Sequence, residues 1–148
     1  MNTEFFERFK TTEELADYIA TVPEFQHTSV SQFIKDNLPK ESAFQTKIIK
    51  ALKSWAAEEA IDSGAVTWKQ SAGVYNRNGL PDVMMVLQGR LFAFEVKRPY
   101  IGKATALQEK TIRELNRAGA VARVISFPSE AMEAIIEAGM WQGGGPAA

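Results

Sequence analysis

The sequence predicts an α/β fold in which a mixed sheet of about four strands is flanked by helices. Helical and β-rich segments follow one another in the order helix, strand, hairpin, helix, strand, helix. The central β-rich segments are apolar on both faces, which is typical of strands that helices cover from two sides. With 148 residues, 45% of them hydrophobic, the chain is long enough for one sizeable core and too short for two ordinary domains.

The first forty residues predict a short helical extension. The spacings Thr11-x-x-Glu14 and Ser29-x-x-Gln32 are those of capping boxes, and each marks the start of a small helix. Residues 1–40 are therefore expected to form an N-terminal extension. Packing against a partner subunit, shaping substrate access and capping the core are alternative roles for it.

A stronger helical pattern begins at residue 41. Four apolar side chains recur at steps of three or four and therefore share one face: Phe44, Ile48, Leu52 and Trp55. Glu41 begins the same stripe, so its carboxylate is expected to face the core. The alternatives are that Glu41 only favours the positive end of the helix dipole, or that it points into solvent.

The middle of the chain predicts strands. Residues 65–69 form the first, and we assign Trp68 to the core, as we do Trp55. A polar loop follows over residues 71–79. Two further apolar runs, 82–87 and 90–97, are separated by Gln88-Gly89 and predict a hairpin with a two-residue loop.

The last third of the chain predicts a helix, a strand and a second helix. The strand-helix-strand passage implies a right-handed crossover and therefore a parallel pairing. In the first of these helices, over residues 106–118, we expect Leu107, Ile112 and Leu115 to point inward. We expect the main domain to span residues 41–138 and a flexible tail to occupy residues 139–148.

The composition excludes several chemistries. The chain has no cysteine, so disulfides, thiolate metal sites and cysteine nucleophiles are ruled out. Its single histidine, His27, leaves no basis for serine–histidine triads or two-histidine metal sites. The sequence has no long apolar run and no signal-peptide pattern, so we expect a cytoplasmic protein that is not secreted, from a bacterial or virus-infected cell.

The predicted hairpin brings acidic residues together. A two-residue loop places Asp82 opposite Glu95, with Lys97 on the same face, whereas a slip of one residue would separate them. Two neighbouring carboxylates repel unless a positive group lies between them. Mg²⁺ or Mn²⁺ would supply this positive charge, held by the two acids and the backbone carbonyl of Val96. The alternatives are a buried charge cluster or exposed strand ends.

These residues match a known family. The motif Gly-Leu-Pro-Asp at residues 79–82, the motif Phe-Glu-Val-Lys-Arg-Pro at residues 94–99 and Gln108 in the next helix resemble the VRR-NUC domain. That domain is a branch of the PD-(D/E)xK nuclease superfamily. The resemblance covers roughly residues 41–137. It implies a restriction-endonuclease-like core.

The resemblance also implies site residues and a reaction. Glu41, Asp82 and Glu95 would bind Mg²⁺ or Mn²⁺, Lys97 would act on the attacking water, and Gln108 would complete the catalytic set. The implied activity is metal-dependent hydrolysis of DNA, and small stand-alone members of this family tend to be homodimers that cut branched DNA such as Holliday junctions. The alternatives are a catalytically silent DNA-binding or assembly protein, or an exonuclease or another nuclease of the same fold.

A basic stretch supports a polyanionic partner. Between residues 69 and 117, nine basic residues face four acidic ones, although the whole chain has a net charge of -1. We expect four of these basic residues to contact DNA: Lys69, Arg77, Arg98 and Lys103. Ordinary solvated surface charge is the alternative. Tyr75 and Tyr100 lie nearby, and we expect packing roles for them in preference to base stacking.

Overall fold

The computed structural model describes residues 1–59, 64–71 and 77–141. It contains six α-helices, one short 3-10 turn and four strands within those ranges. In chain order these are α1 (Thr3–Glu7), α2 (Thr12–Ala20), the 3-10 turn (Pro23–Phe25), α3 (Val30–Asn37), α4 (Glu41–Glu58), β1 (Ala65–Lys69), β2 (Val83–Leu87), β3 (Arg90–Val96), α5 (Ala106–Arg117), β4 (Val121–Ile125) and α6 (Pro128–Glu137).

The four strands form one mixed sheet in the order β1-β2-β3-β4. β1 pairs with β2, and β2 with β3, in antiparallel fashion, whereas β3 and β4 are parallel and are connected through α5. Both the parallel pairing and the four-stranded mixed sheet predicted from the sequence are confirmed. β1 and β4 lie at the two edges.

The central hairpin has the predicted register. Leu87 pairs with Arg90, so Gln88 and Gly89 form a two-residue loop. Both loop residues have positive φ, 48° for Gln88 and 85° for Gly89, as a type I′ turn requires. This turn matches the twist of the flanking strands, and it fixes which residues face each other along the whole hairpin.

Helices cover both faces of the sheet. On one face, β-strand residues such as Met85, Phe92 and Phe94 pack with apolar residues of α4 and α6 in the main core. On the other face, α5 covers a smaller cluster around Met84 and Ala93. The prediction that the central strands are apolar on both faces is therefore confirmed.

The N-terminal extension has more structure than the sequence predicted. α2 and α3 begin at the two predicted capping residues, but α1 was missed because five residues are too few to show a helical stripe. Phe6 of α1 and Phe33 of α3 are fully buried in the same hydrophobic cluster as the residues of α4. The division of the chain into an extension, a main domain and a tail stays a prediction.

Two core assignments are wrong. Trp68 is 39% exposed and Leu107 is 48% exposed. Among the described residues, α5 packs on β2, β3 and β4 at Met84, Ala93 and Ala122, and this cluster does not include Trp68 of the edge strand β1. Leu107 lies in the first turn of α5, at the rim of the sheet, where it contacts the turn at Gly79 instead of the core. Trp55 is buried as predicted, and only 6% of it is exposed.

Some predictions fall wholly or partly outside the described residues. Tyr75 and most of the polar loop lie in residues 72–76, and most of the predicted tail lies in residues 142–148. Of the tail, residues 139–141 are described, and the ring of Trp141 packs edge-on against Trp55 at 5.6 Å between centroids. No helix among the described residues is long and apolar enough to cross a membrane.

Candidate active site

The open end of the central hairpin brings two carboxylates together. Val83 pairs with Phe94, so the preceding Asp82 lies opposite Glu95. The backbone N–H of Val96 donates a hydrogen bond to Asp82 Oδ2 at 3.0 Å. On the other side, the N–H of Gln70 donates to the carbonyl oxygen of Asp82 at 2.7 Å, which extends the β1–β2 pairing by one step. Asp82 is therefore held from both neighbouring strands.

Glu95 is buried with only part of its bonding capacity used. The residue is 1% exposed, and its Oε1 accepts a hydrogen bond from Gln108 Nε2 at 2.9 Å. Its Oε2 is buried and has no hydrogen-bond partner in the described parts of the chain. Burial, aided by the negative charge of Asp82, raises the pKa of Glu95 to about 7, against the lowering effect of Lys97. Lys97 offsets only part of the repulsion between the two acids, so Glu95 binds a proton more readily than a free carboxylate does.

Lys97 links Glu95 to the start of α4. Its Nζ lies 3.3 Å from Glu95 Oε1 and 3.9 Å from Glu41 Oε1. The Lys97 side chain is 16% exposed, whereas that of Glu41 is 43% exposed. The expectation that Glu41 faces the core is therefore wrong, because the first residue of α4 lies at the rim of the sheet. Glu41 joins the site through Lys97.

The three acids do not gather around one point. No group of three or more acidic or histidine side chains in the described ranges is close enough together to hold a metal ion. Asp82 and Glu95 form the acidic centre, and Glu41 is joined to it through the Lys97 ammonium group. The structure thus brings together Asp82, Glu95, Lys97 and Gln108 directly, and Glu41 at the edge.

Gln108 has two simultaneous roles. It is the third residue of α5, and its Oε1 accepts from the N–H of Thr105 at 2.9 Å while the Thr105 hydroxyl accepts from the N–H of Gln108 at 3.2 Å. This capping box fixes the side chain, and the remaining amide N–H then reaches Glu95. A helix cap thereby orients a buried carboxylate.

Gly79 allows α5 to pack against the turn that carries Asp82. Its φ is +82°, and a Cβ at this position would lie 2.8 Å from Leu107 Cγ and 3.1 Å from Thr111 Oγ1. Any larger residue would push the first turn of α5 away from the turn. Since Gln108 is in that same turn of α5, Gly79 helps to keep Gln108 within reach of Glu95.

A cleft of about 170 Å³ opens beside the acids. Asp82, Gln108, Gln70 and residues 77–80 line it. An opening beside the half-buried carboxylate of Asp82 is what a reactive phosphate would need in order to approach the acids. The cleft therefore marks the accessible side of the site.

The predicted DNA-contact residues are distributed unevenly around this cleft. Arg77 lines it, but its guanidinium forms a 2.6 Å ion pair with Glu114 of α5. Lys103 is exposed and Arg98 is half-buried, both in the segment that follows β3. Lys69 alternates with Trp68 along β1, so its side chain leaves the sheet on the face opposite Asp82.

One positioning contact had no signal in the sequence. The hydroxyl of Ser126, directly after β4, donates to the carbonyl oxygen of Lys97 at 2.7 Å, and the N–H of Lys97 donates to Ile125 at 2.9 Å. These bonds hold the main chain of Lys97 against β4. Only the parallel β3–β4 register, read residue by residue, would have placed Ser126 there.

The donor set fits a hard divalent cation. Asp82 and the unpartnered Oε2 of Glu95 offer carboxylate oxygens, the ligands that Mg²⁺ and Mn²⁺ prefer. The N–H of Val96 points toward Asp82, and in an extended strand the carbonyl of the same residue points to the same side. Two acids and one carbonyl would leave several positions of an octahedral cation free for water or phosphate oxygen.

Comparison with known proteins gives one structural relative. No family model and no curated protein matches the chain. The chain is similar to a solved structure described as a VRR_NUC domain, with 23% sequence identity and a TM-score of 0.48. The match covers 66% of this chain and 94% of that one.

Proposed function

We propose that this protein is a metal-dependent nuclease that hydrolyses phosphodiester bonds in DNA. One observation carries the proposal, namely that the buried carboxylate of Glu95 lies beside Asp82 with an unpartnered oxygen. A buried acid in this state lowers stability, and such groups are typical of functional sites. Its neighbours are those that phosphoryl chemistry needs, a second acid and a lysine.

In the proposed mechanism Asp82 and Glu95, with the Val96 carbonyl, hold Mg²⁺ or Mn²⁺. When bound, such an ion polarises a phosphoryl oxygen and lowers the pKa of a water molecule. Lys97 lies against Glu95 at 3.3 Å, and its ammonium group orients the attacking water and stabilises negative charge that develops on phosphorus. Gln108 keeps Glu95 Oε1 in place and leaves Oε2 as the oxygen that would bind the cation.

Glu41 has a different role in this proposal from that of the other two acids. Its Oε1 lies 3.9 Å from Lys97 Nζ, and in the described parts of the chain this contact is what joins Glu41 to the site. We therefore assign Glu41 to holding the lysine between two carboxylates. It also remains available to a second cation once substrate phosphate is bound.

The finer parts of the proposal concern substrate and assembly. We propose that the substrate is branched DNA, with a Holliday junction as the leading candidate, and that the protein acts as a homodimer inside the cell. A two-fold dimer would present two sites to two symmetric strands. Arg77, Arg98 and Lys103 would hold phosphates on either side of the scissile bond.

A cleavage assay with purified protein tests the proposal. The substrates are a four-way junction, a fork, a flap, linear duplex and single strand, each with Mg²⁺, Mn²⁺ or EDTA. We expect metal-dependent cutting that Lys97→Ala and Asp82→Asn abolish. Lys53→Ala is the matched control, because Lys53 is an exposed lysine on α4 without a role in the site.

Each result bears on a separate part of the proposal. Cutting by Asp82→Asn at the wild-type rate would show that the site is elsewhere. Symmetric nicking of the junction alone would support a dimeric resolvase, and cutting from linear ends would favour an exonuclease. Binding to every substrate without cutting any would favour a silent DNA-binding protein on this fold.

A further inference from the structure

Trp68 is an exposed aromatic side chain on the same face of the sheet as the two acids. It pairs across β1 and β2 with Met84, which is two residues from Asp82, so all three side chains leave the sheet on one face. In the described parts of the chain, Met84 belongs to the cluster that α5 covers and Trp68 does not, and 39% of Trp68 is exposed. The other two tryptophans differ, because Trp55 and Trp141 pack on each other against the core.

The indole of Trp68 is tied to the cleft. Its Nε1 donates a hydrogen bond to Gln70 Oε1 at 3.3 Å, and Gln70 lines the cleft together with Asp82 and Gln108. Because the N–H of Gln70 bonds to Asp82, the β1–β2 ladder continues to that point, and Trp68 and Asp82 are diagonal neighbours on it. Diagonal neighbours of this kind lie ~7–8 Å apart. This separation corresponds to about two base steps of a stacked strand, since its bases are about 3.4 Å apart.

We propose that Trp68 is a stacking platform for an unpaired nucleobase next to the scissile phosphate. The proposal rests on the nuclease function above and adds that a nucleotide at the branch point is unpaired when the DNA is bound. An exposed indole stacks on any base through its flat face, but bases inside a duplex are already stacked and paired. Gln70 accepts a hydrogen bond from the N–H at the edge of the indole, so this bond does not occupy the flat face of the ring.

The test measures binding without cleavage. In a Lys97→Ala background with Mg²⁺, affinity is measured for a short duplex, for the same duplex with one unpaired thymidine, and for a third in which that nucleotide lacks its base. Adding Trp68→Ala should weaken binding of the unpaired thymidine by roughly 5- to 150-fold, the range expected for one aromatic–base stack. Binding of the paired and the baseless duplexes should change little.

Two further variants separate stacking from other effects. Trp68→Phe keeps an aromatic face and should retain most of the affinity. Val66→Ala removes the neighbouring exposed side chain of the same strand face and should leave affinity unchanged. Tryptophan fluorescence of the Lys97→Ala protein should be quenched by the unpaired thymidine, and the quenching should be lost with Trp68→Phe.

Several results would overturn the proposal. These are an unchanged affinity in Trp68→Ala, an equal loss on all three duplexes, or a shift from dimer to monomer in sedimentation. The last result would mean that a second copy of the chain covers Trp68. If the wild-type protein cuts no DNA, the nuclease function fails, and the three binding comparisons still report on stacking separately.

Discussion

Two polar groups in this molecule, one half-buried and one buried, differ in how fully they are bonded. The Tyr100 hydroxyl lies 2.6 Å from the carbonyl oxygen of Phe6 and 2.8 Å from that of Phe9, so it joins the segment after β3 to the end of α1. Glu95, five residues earlier, has one bonded oxygen and one without a partner. Tyr100 has the packing role that we expected, whereas Glu95 is left incomplete.

The difference distinguishes a structural group from a chemical one. Burial raises the pKa of Tyr100 to about 12, so the hydroxyl stays neutral and keeps donating at any physiological pH. Burial raises the pKa of Glu95 to about 7, where its charge is nearly balanced between two states. A buried group that is satisfied stabilises the fold, and one that is not is available to a ligand.

The largest expected effect is on catalysis. Glu95→Gln keeps the size of the side chain but removes the charge, so a cation loses one ligand and Lys97 loses its nearest partner. We expect cleavage to fall by roughly 10²- to 10⁴-fold, as for other groups that act directly on the reaction. Tyr100→Phe, measured per folded molecule in the same assay, should cleave at close to the wild-type rate. If both variants lost cleavage activity equally, Glu95 and Tyr100 would not differ as a chemical and a structural group.

The second prediction concerns how the free energy of unfolding of the metal-free protein depends on pH. The pKa of Glu95 in the folded state, about 7, lies above its ordinary value of 4.5. The folded state therefore binds this proton more tightly than the unfolded state does, and the stabilisation is complete below pH 4.5 and lost as pH rises through 7. At about 1.4 kcal/mol per pH unit, the free energy of unfolding should fall by up to roughly 3 kcal/mol.

Chemical denaturation at pH 5 and pH 8 in EDTA measures this loss. Subtracting the same measurement on Glu95→Gln removes the contribution of other titrating groups. Adding Mg²⁺ or Mn²⁺ at pH 8 should restore stability to the wild-type protein and not to the variant. A difference between the two proteins that does not change with pH would contradict the account of Glu95.

The hairpin and its acids were predictable from the sequence, because one short-range feature determines them. Gln88-Gly89 fixes a two-residue loop, and the strict alternation of strand residues then carries that register as far as Asp82 and Glu95. The capping box of Gln108 was equally local. These local patterns do not predict where a strand lies in its sheet.

Trp68, Glu41 and Leu107 were misassigned for that reason. Each has the sequence pattern of a buried residue, but each lies where an element meets the rim of the sheet. Whether α5 extends over β1 depends on the crossover geometry, and no periodicity in β1 encodes it. Ser126 was missed because its contact with Lys97 joins two strands through a parallel register.

The third prediction concerns the satisfied group. Tyr100→Phe leaves the aromatic ring in its cluster with Phe6 but removes the only hydroxyl that bonds the two carbonyl oxygens at the end of α1 in the described structure. The carbonyl oxygen of Phe6 keeps the N–H of Phe9 as a donor, so we expect a loss of up to about 1.5 kcal/mol in the free energy of unfolding, the upper end of the net value of one hydrogen bond. Denaturant titration at pH 7 measures it. A change below the error of the titration would mean that water replaces the hydroxyl.

The smallest effect compares two serines, one in each region. Ser126 donates to the carbonyl of Lys97 at 2.7 Å, and Ser129 donates to Glu7 of α1 at the same distance but at an exposed position. Ser126→Ala should cost about 0.5–1.5 kcal/mol of stability, the net value of one hydrogen bond, and should also lower the cleavage rate a few-fold because Lys97 loses an anchor. Ser129→Ala should leave cleavage unchanged, because its contact ties α1 to α6 and does not reach the acids.

If the two variants lowered cleavage equally, the cleavage rate would be following overall stability, and Ser126 would have no positioning role. A loss of rate in Ser126→Ala alone, at saturating substrate, would show that the main chain of Lys97 is held in place for the reaction.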